Sequence, residues 1–148
     1  MNDVKLSSLQ SWASVNSTGS VSTNYIDLEQ YGVTDEFMGP MWMNVVAGDD
    51  ISVSALTEGL RITLRTSDNT NLSSSPVEIV SSGIILPARL VAGFRQSYGF
   101  CMAGCHRYLG AWVNAVNTSE GGGTMKFDIW LSDRPITPLK FQKSTTTS

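Results

Sequence analysis

Two thiols and an imidazole fall within six residues at Cys101-Met102-Ala103-Gly104-Cys105-His106, the densest chemistry in the chain. A closed zinc site needs four ligands, usually from two separated pairs. The sequence offers no second Cys/His cluster, and His106 is its single histidine. A disulfide between Cys101 and Cys105 would close only a tiny loop and stabilise little. The reading that remains makes them two small apolar side chains at a bend between strands, with His106 exposed or hydrogen-bonded locally. No metal and no cofactor is expected.

Nucleophilic catalysis would need His106 beside a serine or cysteine with an orienting carboxylate. No Gly-x-Ser-x-Gly elbow is present to present such a serine. Paired carboxylates for glycoside hydrolysis could come from Asp35, Glu36, Asp49 or Asp50. Adjacent acids in turn-like surroundings are more often solvated loop residues, so the chain is expected not to be an enzyme. Gly121-Gly122-Gly123 lacks the Lys-Ser/Thr that a phosphate loop requires. Trp42, Trp112 and Trp130 sit in apolar strand patterns and are expected to fill the core. Trp12 lies in a polar stretch, where an indole can anchor a partner or pack locally.

The elements that would position these residues are strands. Leu60-Arg61-Ile62-Thr63-Leu64-Arg65-Thr66 alternates without a fault, turning three aliphatics one way and the arginines with Thr63 the other. Met41 to Ala47 is nearly all apolar, as a strand buried on both faces would be. Further strands are expected at Ser20–Leu28, Val77–Val80, Ile84–Leu86 and Gly93–Phe100. Tyr108–Val116 and Met125–Leu131 flank a Gly-rich stretch and read as a hairpin with a flexible tip. Leu6 to Val15 is the one helix candidate. Seven or eight strands make an antiparallel β-sandwich or jelly roll the economical all-β architecture.

Composition agrees. Among 148 residues there are 20 Ser, 13 Thr and 13 Gly, types that favour turns, caps and strands over helix interiors. Charged residues are 16%, too few for a disordered polyampholyte. A net charge of -3 argues against a dedicated nucleic-acid binder. No apolar run is long enough to cross a membrane as a helix, no secretion signal is visible, and two cysteines suit a reducing compartment.

The charges are segregated. Seven acids and no lysine or arginine lie between Leu6 and Leu60, whereas Arg134 to Ser148 holds Arg134, Lys140 and Lys143 and no acid. Pro135 and Pro138 keep that tail extended. The division expected is an N-terminal arm at 1–19, a sandwich domain at 20–133 and a basic C-terminal arm at 134–148. Partner contact is expected from Trp12, Arg134, Ile136, Lys140, Phe141 and Lys143.

Val21-Ser22-Thr23-Asn24-Tyr25-Ile26-Asp27-Leu28, Leu64-Arg65-Thr66-Ser67-Asp68, Leu72-Ser73-Ser74-Ser75-Pro76, Val80-Ser81-Ser82-Gly83, Pro87-Ala88-Arg89-Leu90-Val91-Ala92-Gly93-Phe94 and His106-Arg107-Tyr108-Leu109 follow one another along the chain. In order and spacing these fragments resemble the capsid cement proteins of short-tailed phages. His106 stands where that family has an arginine, and the Cys101–Cys105 stretch and long basic tail depart from its pattern. The resemblance implies a jelly roll that binds the outside of an icosahedral shell and staples neighbouring major capsid subunits without chemistry. It also implies a virion location, a homo-oligomer (a dimer favoured over a trimer), and no nucleic-acid or membrane partner. The alternative reading is a carbohydrate-binding sandwich of a phage tail, which would show a row of exposed aromatics.

Overall fold

A computed structural model describes residues 4–11, 19–21, 24–29, 40–48, 58–102, 104–116 and 126–136, and the regular structure in these residues is almost all β. The strands in these residues are β1 (Val4–Ser11), β2 (Ser20–Val21), β3 (Ile26–Asp27), β4 (Pro40–Ala47), β5 (Leu60–Ser67), β6 (Val77–Ser81), β7 (Arg95–Cys101), β8 (Tyr108–Ala115) and β9 (Lys126–Ser132). They form two antiparallel sheets. Sheet I has the order β1-β9-β4-β7; sheet II has the order β2-β8-β5-β6, with β3 also on β8. The β2 and β3 segments form one interrupted edge, since five steps from Val21 to Ile26 face only three on β8, from Trp112 to Leu109.

The alternation in β5 is realised as expected. Leu60, Ile62 and Leu64 are wholly buried between the sheets, while Arg61 and Arg65 point outward. The same phase buries Met41, Met43 and Val45 of β4, Leu109 and Val113 of β8, and Phe127, Ile129 and Leu131 of β9. These side chains interdigitate across a gap of about 10 Å. Each contributes on the order of 1.5–3 kcal/mol by leaving water. Ile85 of the expected Ile84–Leu86 strand makes a single bridge to Leu60.

Three expectations are corrected. Residues 6–11 of the helix candidate lie in β1, an edge strand on β9. The spacing of Leu6, Leu9 and Trp12 mimics a helical stripe, but pairing with β9 satisfies this backbone as strand. Thus residues 4–11 of the expected N-terminal arm belong to the sandwich itself.

The second concerns the hairpin. β8 and β9 lie in different sheets, β8 between β2 and β5, β9 between β1 and β4. A two-residue turn would force neighbouring pairing, but the ten residues from Val116 to Met125 are long enough to cross from one sheet to the other. Among the described strands, β5 and β6 are joined within one sheet by a polar hairpin loop plugged by fully buried Leu72.

The third concerns the tryptophans. Trp42, Trp112 and Trp130 alternate with the inward residues Met41, Met43, Ala111, Val113, Ile129 and Leu131, so they sit on the outward faces. Apolar content on both sides of a strand disguises this phase.

Candidate docking surface

The 13-residue link between β6 and β7 carries the most exposed apolar side chains described. Ile84 is 51% exposed, Leu86 56% and Val91 57%. The loop holds its shape because two of its residues face the core: Ile85 and Leu90 are each 2% exposed. Ile85 exchanges backbone hydrogen bonds with Leu60 at 2.8 and 3.1 Å. A 3₁₀ turn at Pro87–Arg89 closes with Leu90 N–H donating to Pro87 O at 3.1 Å. The turn suits Pro87, whose fixed φ and missing N–H are harmless in a first turn. Gly59 fits beneath it at φ +113°, where a Cβ would lie 2.2 Å from Ile85 O. Arg89 and Arg95 flank the aliphatics, Arg89 with its guanidinium 5.6 Å from the Phe94 ring centroid. This end is an apolar lip with basic neighbours.

The opposite end is polar and tied across strands. Arg107 grips Asp27 through Nε at 3.0 Å and Nη2 at 2.9 Å, and reaches Glu29 at 3.0 Å. Hydrogen bonding to Asp27 raises the Arg107 pKa above its ordinary value. His106 N–H donates to Thr66 Oγ1 at 2.7 Å, and its Nδ1 lies 3.2 Å from Asp68 Oδ2. The sequence segments containing Asp27, Asp68 and His106-Arg107 therefore meet in space.

Cys101 and Cys105 are not in a disulfide. They flank a turn closed by Cys105 N–H to Met102 O at 3.2 Å. Cys105 packs against the core, and its thiol is pushed up to about 11, first by burial and then by Cys101. A high pKa leaves little thiolate and makes this an unreactive sulfur. No group of three or more metal-ligating side chains occurs among the described residues.

Of the partner-contacting residues expected from sequence, Arg134 and Ile136 are described; Trp12, Lys140, Phe141 and Lys143 lie outside the described residues. Arg134 projects into solvent with its side chain 89% exposed. Ile136 is partly buried, and its N–H donates to Ser97 Oγ at 2.8 Å. The same hydroxyl donates to Asn44 Oδ1 at 2.7 Å. Asn44 Nδ2 donates to Ser132 Oγ at 2.8 Å and Arg134 O at 3.2 Å. The chain leaving β9 is thus strapped across the outer face of β4 toward β7, and Asn44 is only 1% exposed.

Sequence reasoning overlooked the lip. Its signal is the run Ile84-Ile85-Leu86 between Gly83 and Pro87, too short for a strand buried on both faces.

The sequence matches no protein-family model and no curated protein.

Proposed function

We propose that this protein is a capsid cement protein: it mounts on the outer surface of an icosahedral phage shell and staples neighbouring major capsid subunits. The observation that carries the reading is the apolar lip. Ile84, Leu86 and Val91 flank or fall within the Pro87–Phe94 block that bears the resemblance, and each is more than half exposed. Large aliphatics exposed on one anchored loop suit a protein-docking surface.

The sheet orders support a jelly roll as the finer fold. Counting β2 and β3 as one edge strand, eight strands fall into orders 1-8-3-6 and 2-7-4-5, the winding of two Greek keys. Viral shell and lectin domains both use that winding. Between those two uses the surface favours the first. Among described residues the exposed large apolar side chains are aliphatic apart from Tyr25, whose ring packs edge-on against Tyr108. Repetition around a shell multiplies a modest contact into firm attachment.

Sedimentation of purified protein with empty shells tests the reading. The expected result is a fixed copy ratio to the major subunit. Leu86→Glu with Val91→Asp lowers occupancy roughly tenfold or more while leaving the melting temperature unchanged. Absence of co-sedimentation by the unmodified protein would overturn it.

A further inference from the structure

Cys101 and Cys105 are the two cysteines of the chain, and the backbone fixes where each one sits. Phe100 and Met102 are buried, so Cys101 between them is turned outward and exposed. Pairing with Pro40 of β4 holds its backbone on sheet I. From Met102 the chain reverses. Cys105 N–H donates to Met102 O at 3.2 Å, and Gly104 takes φ +79°, the left-handed value that a type II turn has at its third residue. A β-turn keeps its first and fourth Cα atoms within about 7 Å. Cys105 is the fourth residue of this one, and Cys101 stands next to the first. Beyond the turn His106 N–H is tied to Thr66 Oγ1 at 2.7 Å, so Cys105 is held from both directions.

The two sulfurs differ in their surroundings. Cys105 is half-buried against the core, and burial first, then nearby Cys101, pushes its thiol up to about 11. Cys101 faces water. A Cβ placed on Gly104 would meet nothing within 4 Å, so the outer side of the turn is open to a small reagent. An exposed thiol and a shielded one, separated by one tight turn, have the layout of an attacking sulfur and a resolving one.

We propose that Cys101 and Cys105 form a thiol–disulfide exchange site for low-molecular-weight disulfides of the glutathione class. The Cys101 thiolate attacks one sulfur of the small disulfide. Its S–S bond breaks, a mixed disulfide forms on Cys101, and one small thiol leaves with the proton that Cys101 gave up. Cys105, as thiolate, then attacks Cys101 Sγ. The Cys101–Cys105 bond forms, the mixed disulfide breaks, and the second small thiol leaves with the Cys105 proton. Two protein thiols are oxidised and one small disulfide is reduced to two thiols. Being tethered across the same turn offsets the low thiolate fraction of Cys105, because a neighbouring group acts at a far higher effective concentration than a dissolved one. So small a ring is strained and adds little to stability, so the bond is readily reduced and serves as a reversible mark on the chain. The exchange needs neither a shell nor a second copy.

Intact-mass spectrometry of the reduced protein after treatment with oxidised glutathione tests it. The expected product is a single chain lighter by two hydrogens, returned to its starting mass by dithiothreitol. Trypsin cuts after Arg95 and Arg107, so one fragment holds both sulfurs and carries the whole loss. Cys105→Ser should stop at a stable glutathione adduct on Cys101, and Cys101→Ser should react at least roughly tenfold more slowly than the unmodified chain. The product of the unmodified chain decides the matter should either variant fold poorly. Failure to react, an adduct that persists on Cys101 while Cys105 stays a thiol, a bond between two chains, or undiminished reaction of Cys101→Ser would overturn the proposal.

Discussion

The outer faces of the two sheets carry the same problem, a tryptophan on the solvent side of a central strand, and solve it differently. On sheet II, Trp112 is sealed to 8% exposure. The Arg65 guanidinium lies 4.2 Å from its ring centroid, and Gly19 passes so close that a Cβ there would fall 2.1 Å from the indole nitrogen. On sheet I, Trp42 and Trp130 remain partly open, Trp42 lying over Gly99, and the departing chain crosses beside them through the Asn44–Ser97–Ser132 network. One face is closed by packing, the other by a polar strap. Packing that depends on a missing side chain tolerates no added atom, whereas a hydrogen-bonded strap can be loosened link by link.

The largest expected effect comes from breaking the sealed face. Gly19 adopts φ +88°, and its Cβ would also lie 2.9 Å from Asn114 Cβ. Gly19→Ala therefore combines backbone strain with a clash and costs about 3 kcal/mol, read from the urea midpoint. The indole should move outward, shifting its fluorescence to the red. A loss under about 0.5 kcal/mol would mean that Trp112 is not sealed by this segment.

Loosening the strap comes next. Asn44→Ala takes away the acceptor of the Ser97 hydroxyl and the amide that donates to Ser132 Oγ and Arg134 O, which remain bonded only to each other, for about 2 kcal/mol. Faster exchange of the Ile136 amide is expected with it, because the Ser97 hydroxyl that accepts this N–H loses its other partner. Unchanged Ile136 exchange would separate the strap from the network. Third is the lid on Trp112. Burial lowers the Arg65 pKa against an opposing pull from Glu78, so its charge is held partly out of water above the ring. Arg65→Ala costs roughly 1 kcal/mol and opens Trp112 to iodide quenching. Equal quenching of wild type and variant would deny the lid its role.

The faces also show what could be read from the sequence and what could not. β5 was legible because Leu60, Ile62 and Leu64 alternate with polar neighbours, and β4 because Gly39-Pro40 and Gly48 punctuate an apolar run. The period of two tells which residues share a face, but not which of two sheets a strand joins. That is why β8 and β9 look like a hairpin although they lie in opposite sheets. The tryptophans were misread for a related reason: between Met41 and Met43, or Ala111 and Val113, an outward indole leaves no polar gap in the pattern. The network at Asn44 was invisible because its members are 88 and 53 residues apart in the chain. The apolar lip was legible in composition only, since its exposure depends on Ile85 and Leu90 taking the inward positions.

The smallest expected effect divides the alkaline response between the two regions. Tyr98 on β7 of sheet I has its pKa raised by burial, with Arg89 opposing, and Cys105 at the crossover into sheet II is pushed up to about 11 from an ordinary value of 9.0. Both groups are neutral when protonated, and the folded state holds that proton more tightly than the unfolded chain does. Their contribution is therefore fully present below pH 9 and is lost as the unfolded chain ionises first, through the window from about 9 to about 11 for Cys105. Urea midpoints measured across that window should fall with pH. Cys105→Ala should remove the early part of the slope and Tyr98→Phe the part that begins nearer pH 10. Iodoacetamide at pH 8 should label exposed Cys101 well before half-buried Cys105, because the thiolate is the reactive form. Equal labelling rates, or a slope untouched by Cys105→Ala, would place the Cys105 sulfur in water and leave sheet I alone responsible for alkaline lability.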